Sequence, residues 1–176
     1  MSIAEKAARR SPELWEYLAL RDDVTNEILN KIVCKSRNNE FLEKVLRSST
    51  INFYLTENTL DTIVKNTNGK VKVLIAGHPN TPARTLTYLS NHLPTAYSTS
   101  DKNIRLIIIN RIIDHQNTPA NVLVSLYKQE LLDRTRLARL KDIKQKIAQW
   151  LEEKSYGNNL ENLQLEWLLT ILDEAV

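Results

Sequence analysis

The side chains with chemical potential in this sequence are few: three histidines, one cysteine and one dense run of cations. His78 and His115 occupy equivalent places in two near-copies of one string. These are His78-Pro79-Asn80-Thr81-Pro82-Ala83 and His115-Gln116-Asn117-Thr118-Pro119-Ala120, offset by 37 residues throughout. A zinc-type site would need at least a third ligand, and His92 is the one remaining histidine. Both copies place the imidazole where a short helix ends, where a ring N–H can bond the last carbonyls or bridge the turn, so a structural role is the expectation. Cys34 follows Val33 on an apolar face and reads as packing. As a lone cysteine it excludes an internal disulfide, a cysteine-ligated zinc site and a cluster held by several thiolates. Asp114 beside His115 looks like an acid/base pair, yet neighbours in sequence at a helix end point in different directions. Gly69, Gly77 and Gly157 stand far apart, which leaves no glycine-rich loop to cradle a phosphate. No catalytic residue, metal ligand or cofactor is assigned.

The cations Arg134, Arg136, Arg139, Lys141, Lys144 and Lys146 are the best case for nucleic acid, because such side chains contact phosphates. At helical spacing, Arg134 and Lys141 fall on one flank of an apolar stripe and Arg139 and Lys146 on the other. Flanking cations commonly lay their stems along a core edge and send the charge outward, and this is the favoured reading. Trp15, Trp150 and Trp167 each lie within an apolar stripe and read as core rather than as a base-stacking platform.

The elements that position these residues read as helices. Thr-Pro marks a helix start: the threonine oxygen is expected to accept an orphan backbone N–H, and proline suits the first helical position. Leu86 and Leu89 follow the first copy and Leu123 and Leu126 the second, each pair on one helical face. Upstream, Val71, Leu74 and Ile75, then Ile108, Ile109, Ile112 and Ile113, supply a short apolar helix before each turn. The unit is therefore helix, Asn-Thr-Pro turn, helix. Fainter starts stand at Ser11-Pro12, Thr25, Asn38 and Asn58. Asn91 to Asn103, with Pro94 and a Ser/Thr cluster, reads as a polar loop. Two longer helices, at about 130–154 and 159–175, close the chain. Ile51 to Leu55 and Leu106 to Ile109 are short strand candidates that lead straight into helical patterns, so the expectation is all-α.

The segment Val71 to Pro82, with Leu86 and Leu89 beyond it, resembles the leucine-rich repeat variant family, related in architecture to HEAT and armadillo repeats. The likeness covers residues 70–89 and 107–126. It implies a right-handed superhelical stack of short helices, an α-α solenoid, and a role in binding rather than a reaction.

The whole chain bounds these readings. With 176 residues, 42% apolar and 26% charged, 1–176 reads as a single domain. A chain of this length buries roughly 70% of the surface its unfolded form exposes, so its core needs no staple. The charge of +3 is mild. Residues 1–11 lack the apolar run of a signal peptide, and no stretch approaches the length of a membrane span, so a cytoplasmic protein without a membrane partner is expected. The function that follows is non-enzymatic: a helical-repeat module that binds another protein through exposed polar residues of the second helices, such as Arg84, Thr87 and Asn121. The alternative is nucleic-acid binding through 134–146, with Arg134, Arg139, Lys141 and Lys146. An enzyme built on a HEAT-like scaffold is the third reading. The apolar C-terminal helix around Trp167 offers a surface for a second copy of the chain.

Overall fold

The computed structural model describes residues 12–21, 24–95, 98–131, 145–149 and 170. Among them the chain is helical and contains no strand. The elements are α1 (Pro12–Ala19), α2 (Asn26–Lys35), α3 (Asn39–Arg47), a 3-10 helix (Asn52–Tyr54), α4 (Glu57–Ile63, continued by a 3-10 turn over Val64–Asn66), α5 (Gly69–Ala76), α6 (Ala83–Asn91), α7 (Thr99–Asp114) and α8 (Ala120–Leu131). Both strand candidates are helical: one contains the 3-10 helix and the other lies inside α7.

Most helix starts are set by one side-chain oxygen. Thr25 accepts the Ile28 N–H at 3.4 Å, and Asn38 accepts those of Glu40 and Phe41 at 3.0 and 3.3 Å. Each such cap satisfies an orphan donor and stabilises its helix by about 1 kcal/mol. The next helix begins two residues earlier than Asn58 suggests. Thr56 is its cap, accepting from Thr59 N–H at 3.3 Å, and Asn58 lies inside α4. The expected loop from Asn91 to Asn103 is half as long, because Ser98 starts α7. The Ser98 hydroxyl accepts the Asp101 N–H at 3.0 Å and donates to the Asp101 carboxylate at 2.6 Å, a reciprocal cap that holds the Ser/Thr cluster in a helix.

Alternate helices pack side by side. One row runs α2, α4, α6, α8; the other runs α3, α5, α7; α1 lies on α2, and α6 touches both α5 and α7. Between the rows lies a continuous apolar core, from Leu29, Val33, Leu42 and Val45 through Leu60, Val71 and Ile75 to Leu86, Leu89, Ile109, Ile112, Leu123 and Leu126. The stripes Leu86/Leu89 and Leu123/Leu126 are buried as their spacing predicts.

Glycine sets the closeness of α5 and α7. A Cβ on Gly69 would stand 2.9 Å from Ile104 Cγ2, and one on Gly77 would stand 2.7 Å from Arg111 Nη1. The N-terminal end of α5 thus meets the earlier part of α7 and its C-terminal end the later part, so the two run parallel. Arg111 donates to the Val73 carbonyl at 2.8 Å, a last-turn oxygen of α5. The two long C-terminal helices of the sequence reading lie almost entirely outside the described residues. Of them, 145–149 and 170 are helical, with Ile147 buried.

Candidate functional site

Each Asn-Thr-Pro turn is built by the same side-chain bonds. His78 Nδ1 accepts the Asn80 N–H at 3.1 Å, and His115 Nδ1 accepts the Asn117 N–H at 3.1 Å. An amide can only donate, so Nδ1 carries the lone pair and the ring proton sits on Nε2. That Nε2–H then donates to the turn before: from His78 to the Asn52 carbonyl at 2.9 Å, and from His115 to the His78 carbonyl at 2.9 Å. A second tie runs in parallel. The Asn80 amide donates to the Leu55 carbonyl at 3.0 Å and the Asn117 amide to the Thr81 carbonyl at 3.0 Å. Three successive turns are thereby linked in a ladder, each rung one imidazole and one carboxamide.

The threonines act differently from the expectation. Thr81 and Thr118 do not cap the following helix; they donate backward to the carbonyls of Ile75 and Ile112, the former at 2.5 Å. Pro82 is itself the N-cap of α6, with no side-chain cap bond, and its carbonyl accepts from Thr85 and Leu86. Thr81 is buried, so its hydroxyl needs a local acceptor, and the carbonyl at the end of the preceding helix is the one within reach.

Burial is the largest influence on His78 and lowers its proton affinity. The bond to the Asn52 carbonyl opposes this, and the like charge of His115 adds to it. Both rings use both nitrogens on backbone groups, so neither has a lone pair free for a metal. Asp114 is exposed while His115 is buried, which separates that tempting pair.

The turn before the first copy lacks the motif and is held from a different element. Asn30, in α2, donates to the Tyr54 carbonyl at 2.8 Å and accepts from the Thr56 N–H at 3.0 Å and the Thr59 hydroxyl at 2.5 Å. Sequence reading gave no reason to single out Asn30, because a mid-helix asparagine carries no motif.

On the row α2, α4, α6, α8, polar side chains join neighbouring helices. Arg84 on α6 donates to Asn58 Oδ1 at 2.7 Å and pairs with the Asp61 carboxylate at 3.6 Å. Asp61 also accepts from the Thr85 hydroxyl at 2.9 Å and pairs with Lys65 at 3.6 Å. Asp61 was not among the sequence candidates, and it is the hub of this seam. Arg84 is therefore exposed but already engaged. Thr87 is half-buried, its hydroxyl bonded to the Ala83 carbonyl at 2.9 Å, and Asn121 is exposed on α8. Arg134, Arg139 and Lys141 lie outside the described residues, while Lys146 is half-buried within 145–149. Trp15, Trp150 and Trp167 also have no described side chain. Cys34 is half-buried beside a shallow depression of about 420 Å³ lined by Asn26, Asn30, Lys31, Lys35 and Thr56. Among the described residues no helix is long and apolar enough to cross a membrane.

Comparison of the chain with family models, with curated proteins and with solved structures finds no match.

Proposed function

We propose that this chain is a non-enzymatic helical-repeat module, an α-α solenoid of the leucine-rich repeat variant kind, that binds another protein along the row α2, α4, α6, α8. The observation that carries this reading is the recurrence of one bonding pattern at residues 78–82 and 115–119, each turn tied to the turn before it. A connection that repeats from unit to unit is what a stacked array needs, since each unit contacts only its neighbours. Alternate packing of the helices supports the same reading, because it sets Asn58, Thr62, Arg84, Thr87 and Asn121 on adjacent helices of a single row. The cations Lys31, Lys65 and Arg84 on this row are paired with Glu27 or Asp61, which suits a protein surface of mixed polarity better than a polyanion.

The test is site-directed photo-crosslinking. A crosslinker placed at Thr62, Thr87 or Asn121 is expected to capture one and the same protein, and a crosslinker at the exposed Asn110 on α7 is expected not to. Equal capture from Asn110, or no capture from the α4, α6 and α8 positions, would refute the reading.

A further inference from the structure

Two imidazoles buried in consecutive turns, each wired to backbone through both nitrogens, do more than hold the turns. The bond at Nδ1 tolerates only a lone pair, because the amide of Asn80, or of Asn117, points a hydrogen at it from 3.1 Å. An imidazolium carries a hydrogen on both nitrogens, so the charged form sets donor against donor. To relieve that clash the ring must turn, and turning withdraws Nε2 from the carbonyl of the preceding turn.

We propose that His78 forms an acid-operated joint: uptake of a proton by its ring releases its turn from the turn before it, so that mild acid loosens the chain between these two turns before it unfolds. The carboxamide tie of Asn80 does not titrate, so the two turns stay tethered while the His78 rung opens. The surroundings favour the neutral ring. The preceding turn presents His78 with the Asn52 carbonyl, and residues 51–56 contain no charged side chain. From α7 and the turn that follows it the groups are His115, whose charge opposes a proton on His78, and Arg111, which lies against Gly77 with its guanidinium on the Val73 carbonyl. Asp114 is exposed, and Lys72 on α5 is half-buried. Among the described residues, no carboxylate contributes to holding a proton on His78.

The sign follows from linkage. Burial lowers the proton affinity of His78 below the ordinary histidine value of 6.5, so the folded chain binds fewer protons than the unfolded one just below that pH. Its contribution to stability is complete above about pH 6.5 and is lost as pH falls through the folded value. His92, the third histidine, supplies a control. Its Nδ1 lies 2.8 Å from the Tyr88 carbonyl, and the ring is exposed and stacked on Tyr88, away from the ladder of turns.

The experiment is ring-nitrogen and amide NMR on the intact chain between about pH 7.5 and 5, with denaturant unfolding at the same pH values. The His78 ring is expected to show the Nε2–H tautomer at neutral pH. The Asn80 amide should lose protection in the same step in which the ring protonates. The unfolding constant should rise by up to about tenfold per pH unit across the window in which folded and unfolded proton affinities differ. His78→Gln, whose carboxamide donates without titrating, should flatten that dependence, whereas His92→Gln should keep it. An Asn80 amide that stays protected when His78 protonates, an unchanged slope in His78→Gln, or a His78 ring that titrates at or above the exposed value each overturns the joint. Should His78→Gln fail to fold, the NMR measurement on the unaltered chain decides alone.

Discussion

Thr81 illustrates how a residue type can be legible while its bond is not. Thr-Pro at a helix start is a fair signal for a capping hydroxyl, and the helix does begin there. The hydroxyl faces the other way, onto the Ile75 carbonyl, because Thr81 is buried between the helix it follows and the helix it precedes. The turn is thus a link between two helices rather than the beginning of one. Thr81→Val keeps the shape and deletes the donor, leaving a buried carbonyl without this partner. The Ile75 carbonyl keeps the His78 N–H, so the expected cost is about 0.5–1.5 kcal/mol in denaturant unfolding, where a surface threonine would cost a few tenths. Thr118→Val should behave alike, its hydroxyl bonding the Ile112 carbonyl in the same way. A loss near zero for both variants would show that the hydroxyls are satisfied elsewhere. Asn30 and Asp61 were beyond sequence reading for a related reason. The partners that make each of them a hub, Tyr54 and Thr59 for Asn30 and Arg84 and Thr85 for Asp61, lie more than 20 residues away, and nothing local in the chain marks them.

The starts and stripes of the helices were largely readable, since caps and apolar spacing are local. Thr25 and Asn38 cap where expected, and the apolar residues around the two turns point inward. Errors fell where two cap-forming residues compete within a few positions, as at Thr56 and Asn58, or where a Ser/Thr cluster conceals a reciprocal cap, as at Ser98 and Asp101. Asn38→Ala should therefore cost about 1 kcal/mol, read as a lower thermal midpoint, because two N–H groups of α3 lose their acceptor. The pairing of α5 with α7 was not readable, because no local pattern says which helix a glycine will face. At Gly77 the contact is with Arg111, a flexible side chain anchored on a helix-end carbonyl. Gly77→Ala, at a negative φ beyond the end of α5, must displace that guanidinium, so the gain of about 0.4–1 kcal/mol from a less flexible unfolded chain is offset by loss of the Arg111 bond. In a double-mutant cycle Gly77→Ala should be destabilising alone and neutral or stabilising on an Arg111→Ala background. Additive effects would mean that the two residues do not share this space.

At the scale of the molecule, the proposed stack makes a prediction that a closed bundle does not. The core is continuous, α8 packs on α6, and the described residues place no extensive contact between α8 and α2 or α3. If the chain is the stack proposed above, stability is the sum of unit terms and nearest-neighbour interfaces, and a lesion at one end is felt most by the adjacent units. Leu123 on α8 and Leu42 on α3 are both fully buried, and truncating either to alanine should remove about 2–5 kcal/mol from its own region. Amide exchange distinguishes the two. Leu123→Ala should raise exchange through α6 and α8 while α2 and α3 keep their protection, and Leu42→Ala should do the reverse. A globally cooperative domain would instead lose protection uniformly in both variants. The ladder of turns bears on the outcome directly, because the bonds from His115 and Asn117 to the turn at 78–81 couple the α8 end to the preceding unit.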